Sequence, residues 1–132
     1  MKIENIKFKA KRLDNGEWII GSFVVMKIPA LSKTTIGIVA SDGATLHEID
    51  PTTVCQFTGL KDCEGNEIWE GDALLNTNSG SQYTVMYSDY GGAFFIRKKG
   101  TVNDDIYLFE LSDVDKCIAF FEVVGNKFDK EK

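Results

Sequence analysis

The hydrophobic pattern of the chain has a period of two almost from its start. In Ile6-Lys7-Phe8-Lys9-Ala10-Lys11 apolar residues alternate with lysines, the pattern of a strand with one buried and one solvated side. Asp14-Asn15-Gly16 signals a tight turn, and residues 17–26 read as the returning strand, with Gly21 as its expected bulge. The opening unit is therefore a predicted hairpin.

Beyond Pro29 two further strands are predicted over residues 35–40 and 45–49, with Asp42-Gly43 as the turn between them. Asp50-Pro51-Thr52-Thr53 interrupts the alternation, because the residue before a proline is pushed away from helical geometry. This is the expected seam between an N-terminal β lobe, 1–53, and a C-terminal lobe, 54–128. Strands are predicted at 54–58, 67–69, 73–75, 83–87, 93–97 and 106–111, separated by polar or glycine-containing turns. Ser112-Asp113-Val114-Asp115-Lys116 is the one predicted helical turn, capped by Ser112. A last strand over 118–124 precedes a frayed tail at 129–132. Nine or ten short strands without an amphipathic helix predict an all-β protein, barrel or sandwich.

Composition sharpens this picture modestly. The 132 residues include 43% hydrophobic and 27% charged side chains, ordinary for a folded soluble domain. Fifteen Lys and Arg against twenty Asp and Glu give a net charge of -5, which disfavours polyphosphate at long range. The charge is uneven. Lys2, Lys7, Lys9, Lys11 and Arg12 face only Glu4 in the first twelve residues, whereas Asp62, Glu64, Glu67, Glu70 and Asp72 stand without a base in 62–72. Two solvated sheet edges account for this, and a contact between subunits would use it. Charges recur from Lys2 to Arg12 and no apolar run is long enough to span a bilayer, so a soluble, cytoplasmic protein that does not enter membranes is expected.

Candidate chemistry is sparse. Cys55, Cys63 and Cys117 lack a C-x-x-C pair, and with His47 they miss the spacings of a zinc site; reduced core cysteines are the expectation. His47 is the only histidine and sits in a strand pattern with no motif around it, which leaves no Ser-His or Cys-His constellation. No G-x-S-x-G, G-x-G-x-x-G or P-loop string occurs. Residues 62–72 fail the calcium-loop template because Gly65 stands fourth from Asp62 rather than sixth. Glu67, Glu70 and Asp72 could supply a carboxylate pair, yet nothing marks a sugar cleft. Tyr90-Gly91-Gly92-Ala93-Phe94-Phe95-Ile96-Arg97 loosely echoes an RNA-stacking strand, with Asp89 where a base would help. Alternating Phe94 and Ile96 serve a core equally well.

The string Gln56-Phe57-Thr58-Gly59-Leu60-Lys61-Asp62-Cys63-Glu64-Gly65-Asn66-Glu67-Ile68-Trp69-Glu70-Gly71-Asp72-Ala73-Leu74 resembles the hallmark of the YopX family, small proteins of phages, prophages and other mobile elements. Ile6-Lys7-Phe8-Lys9-Ala10, Glu17-Trp18-Ile19-Ile20-Gly21 and Asp50-Pro51-Thr52-Thr53-Val54 resemble its opening hairpin and its approach to the hallmark, and Phe121-Glu122-Val123-Val124-Gly125-Asn126 its closing strand. Phe120-Phe121 is bulkier than that pattern. The resemblance implies a small N-terminal β unit packed on a C-terminal SH3-like barrel, a mobile-element origin and self-association, and it implies no biochemical activity. Physically, Gly59, Gly65 and Gly71 suit successive tight turns; Thr58, Asp62, Glu70 and Asp72 suit bonding of turn amides; Ile68 and Leu74 suit core anchors.

The expectation is a non-catalytic binding or assembly module, a homo-oligomer or the partner of another protein, with no catalytic, cofactor or metal residue assigned. The alternative is a nucleic-acid-binding β-barrel using Lys7, Lys9, Lys11 and Arg97-Lys98-Lys99. An enzyme built on Glu70 and Asp72, or an acidic mimic of DNA, ranks behind both.

Overall fold

The computed structural model describes residues 2–40, 45–102, 105–113 and 115–129. It is all-β, as the alternation requires. In chain order the strands are β1 (Phe8–Lys11), β2 (Trp18–Ile28), β3 (Lys33–Ala40), β4 (Leu46–Glu48), β5 (Cys55–Lys61), β6 (Glu67–Trp69), β7 (Asp72–Asn76), β8 (Gln82–Ser88), β9 (Ala93–Lys98), β10 (Asp105–Tyr107) and β11 (Phe121–Asn126). One sheet runs β4-β3-β2-β1-β5-β6 and the other β10-β9-β8-β7-β11. All the pairings between them that carry a register are antiparallel. The chain divides into two compact units, Met1–Phe57 and Thr58–Lys132, with the division inside β5. Within the expected seam, Pro51–Thr53 form a 3-10 turn capped by the Asp50 carboxylate, which accepts from Thr52 N at 3.0 Å.

In the first unit β1 and β2 form the predicted hairpin. Asn15 Oδ1 accepts from Glu17 N at 2.9 Å, and Arg12 N donates to Glu17 O at 2.9 Å. The expected bulge at Gly21 is absent: its register with Phe8 and with Ala40 continues without a shift. Gly21 is needed for closeness, because a Cβ there would lie 2.0 Å from the Val39 carbonyl oxygen. β2 continues for seven residues past its last β1 partner, so residues 22–28 pair only with β3. Ala10, Ile38 and Ile49 form a small buried cluster, with Phe8, Ile19, Ile36 and Val54 packed against it. The Asp42-Gly43 turn lies outside the described residues.

The second unit holds the larger core: Leu60, Ile68, Leu74, Val85, Ile96, Leu108, Ile118 and Phe121. Each face follows from strand alternation, as in β9, where Ile96 points inward and Arg97 outward. The closure expected of an SH3-like barrel is not seen among the described strands. The five-stranded sheet ends in β10 on one side and β11 on the other, and neither sheet closes on itself. The bulge of this unit lies in β11, between Val123 and Gly125.

The helical turn comes earlier than predicted, at α1 (Leu108–Leu111), and Ser112 ends it rather than starting it, donating from Oγ to Phe109 O at 3.1 Å. Asp113 turns its carboxylate onto Asp115 N and Cys117 N at 2.8 and 3.1 Å, a local bond that competes with a helix. Ile118 packs in the core outside the last strand, because Phe120, at φ 68, breaks the extended run. Of the predicted tail, residues 130–132 lie outside the described residues, and Asp129 accepts from Asn126 N at 2.8 Å.

Candidate interaction surface

The distinctive stretch 56–74 is consumed by the fold. Gly59, Gly65 and Gly71 have φ of 83°, 85° and 86°, the left-handed region; Gly65 and Gly71 serve turns, whereas Gly59, expected in a turn, lies within β5. At Gly71 space matters too, since a Cβ would approach Asn126 Nδ2 and Lys127 Cε at 3.3 Å. Ile68 and Leu74 are fully buried.

Two carboxylates are buried with them, and both act as clamps. Asp62 accepts from Glu64 N (2.9 Å), Asn66 N (2.8 Å), Asn66 Nδ2 (3.2 Å) and, across 61 positions of sequence, Val123 N (2.9 Å). Burial pushes its pKa up, but those amides of Val123, Asn66 and Glu64 favour the anion more strongly and hold it below the ordinary carboxylate value. Asp72 accepts from Trp69 N at 2.7 Å and from Asn126 Nδ2 at 2.9 Å. Thr58 Oγ1 donates to Ile68 O and accepts from Leu60 N. Asp62 and Asp72 thus bind main-chain amides and asparagine side chains, and Thr58 bridges Leu60 N and Ile68 O, which ties turns to strands.

The other candidates are dispersed. His47 is half-buried on β4, across from Ile38, and lines a shallow depression of about 300 Å³ with Arg12, Leu13, Asp14, Leu46 and Glu48. Arg12 there is held by Asp14, from Nε at 3.0 Å and from Nη2 at 2.6 Å. Cys55 is buried and donates to Thr53 O. Cys63 is exposed, and desolvation with the charges of Asp62, Glu64 and Glu122 raises its thiol pKa, away from the reactive thiolate. No three His, Cys, Asp or Glu side chains among the described residues are placed to hold a metal ion. No described helix is long and apolar enough to cross a membrane.

Of the six cations named for nucleic acid, Lys7, Lys9, Lys11 and Arg97 are engaged within their own units. Lys7 Nζ lies 4.7 Å from the Phe57 ring centroid, and Lys9 and Lys11 lie 4.6 and 4.5 Å from that of Trp18. Arg97 grips Asp105 with both arms at 2.8 and 2.9 Å and lies over Phe95. Asp105 raises the arginine pKa and is itself lowered by it. Phe95 and Ile96 are buried and Phe94 packs onto the core, so of the rings in the string that echoed RNA stacking Tyr90, in the turn before β9, is the one that stands open.

Among the described strands, β2 carries the most exposed large apolar side chains. Phe23, Val25 and Met26 are 37%, 50% and 44% exposed, and Leu31 at the tip is 68% exposed. Successive residues alternate sides, so Phe23 and Val25 face one way and Met26 the other, and both sides of this two-stranded ribbon show apolar surface. Sequence reasoning missed it as a surface. The signal was present in Phe23-Val24-Val25-Met26, an unbroken apolar run of the kind found in strands covered on both sides.

A family model described as YopX protein matches residues 7–131. No curated protein sequence matches the chain.

Proposed function

The chain belongs to the YopX family, and we propose that it is a non-catalytic binding or assembly module of mobile-element origin that works in the cytoplasm through contacts with protein. The observation that carries this reading is the β2–β3 ribbon, whose apolar side chains stand exposed on both sides while the buried carboxylates serve backbone amides. A nucleic-acid-binding role is the alternative. It draws on the basic face of Lys7, Lys9 and Lys11, and it is weakened by their contacts with Trp18 and Phe57 and by the net charge of -5.

Cross-linking in cells followed by mass spectrometry separates the two. The assembly reading expects links from Lys27 and Lys33, on the ribbon, to protein peptides of this chain or another. Ultraviolet links from Trp18 to nucleic acid, with no protein links from Lys27 or Lys33, would contradict it.

A further inference from the structure

The backbone of the ribbon specifies what can add to it. In an antiparallel pair, hydrogen-bonded and non-bonded residue pairs alternate along the strands. The Arg12 N to Glu17 O bond makes Arg12/Glu17 a bonded pair, so the residues of β2 that bond toward β1 include Ile19 and Gly21. The Phe57 N to Lys7 O bond agrees, since it assigns the alternate residues of β1 to β5. The same alternation assigns Ser22, Val24 and Met26 to the ladder with β3. Phe23, Val25 and Lys27 therefore aim their N–H and C=O groups at the side where β1 has already ended, an open edge.

That edge is self-dual. It is bounded by the end of β1 pairing at Gly21 and by the end of β2 at Ile28, before the 3-10 turn Pro29–Leu31, and its midpoint is Val25. We infer that two copies of this chain pair antiparallel along residues 22–28 of β2, with the two-fold axis at Val25. The inference rests on the assembly reading above and names its partner.

In this register every outward amide meets an outward carbonyl, with about six backbone hydrogen bonds across the axis. Val25 faces itself, Val24 faces Met26 of the second copy, and Phe23 faces Lys27 of the second copy, so each side of the ribbon gains an apolar or cation–ring pair. Phe23 touches Phe8 at 5.7 Å between ring centroids, so Lys27 of the second copy comes to a pair of rings. The contact is narrower than a standard interface, so the dimer is weak and depends on concentration.

The test is sedimentation of the full chain from about 1 µM to about 1 mM, the range over which a narrow interface dissociates. A monomer–dimer equilibrium is expected, and Val25→Pro, whose lost N–H makes no bond to β3, should weaken it about a hundredfold with the circular dichroism spectrum unchanged. If Val25→Pro fails to fold, Val25→Lys, which sets like charges on the axis, should weaken dimerisation in its place. In a chain carrying Cys63→Ser and Cys117→Ser, Val25→Cys should form an interchain disulfide on mild oxidation, and Ser22→Cys, far from the axis, should not. A dimer that survives Val25→Pro or Val25→Lys, or that cross-links equally through either cysteine, overturns the inference while the assembly reading stands. A strict monomer at 1 mM overturns the inference as well, and protein links found in cells then decide the assembly reading independently.

Discussion

The two units spend their apolar residues differently. In the second, eight hydrophobic side chains interlock and two buried carboxylates tie turns to distant strands; in the first, three side chains are buried together and the longest strand leaves its core. Charge separates them too: residues 1–57 carry seven bases and six acids, a net +1, and residues 58–132 carry eight bases and fourteen acids, a net -6. The lesson is that a unit can be well formed locally and still be unfinished. A two-stranded ribbon is marginal in water without something against its faces or edge. The second unit also exposes apolar side chains, Tyr90, Phe109 and Phe120 among them, but these lie in turns and the helical turn rather than along one strand.

This contrast breaks most sharply at Asp62. Asp62→Ala strands the amides of Glu64, Asn66 and Val123 and should cost about 3–5 kcal/mol of stability, read by denaturant unfolding. Next comes the smaller core of the first unit. Ile38→Ala should cost about 2–4 kcal/mol, with amide exchange accelerating across β2 and β3 first.

A third, smaller effect comes from pH. The Asp62 pKa is lower in the folded state than its unfolded value of about 3.9, so its contribution is complete above that value. The contribution is lost as pH falls through the lower folded value. Melting temperature should thus decline below about pH 4, and Asp62→Asn should flatten that decline. At the small end, Val25→Thr should change monomer stability by less than about 0.5 kcal/mol, because half of Val25 is already in water.

Much of the second unit was legible in sequence because its glycines and carboxylates each serve a local bond: Gly65 and Gly71 turn where turns were expected, and Ile68 and Leu74 anchor between them. Whether the sheet closes was not legible, since β11 pairs with β7, far back in the chain, rather than with β10, the strand just before it, a choice that no local pattern encodes. The helical turn was misplaced by the competition at Asp113, where one side chain can cap a helix or hold a loop. The ribbon was hidden by ambiguity in the rule itself. An apolar run such as Phe23-Val24-Val25-Met26 says that both sides of a strand are to be covered, without saying by what.

Amide exchange followed by NMR at two concentrations tests the central claim most directly. In dilute solution Ser22, Val24 and Met26 should be protected through β3 while Phe23, Val25 and Lys27 exchange freely, and raising the concentration should protect the second set alone. Uniform protection along residues 22–27 at high dilution, or no change at Phe23, Val25 and Lys27 on concentrating, would contradict an open edge completed by a second copy.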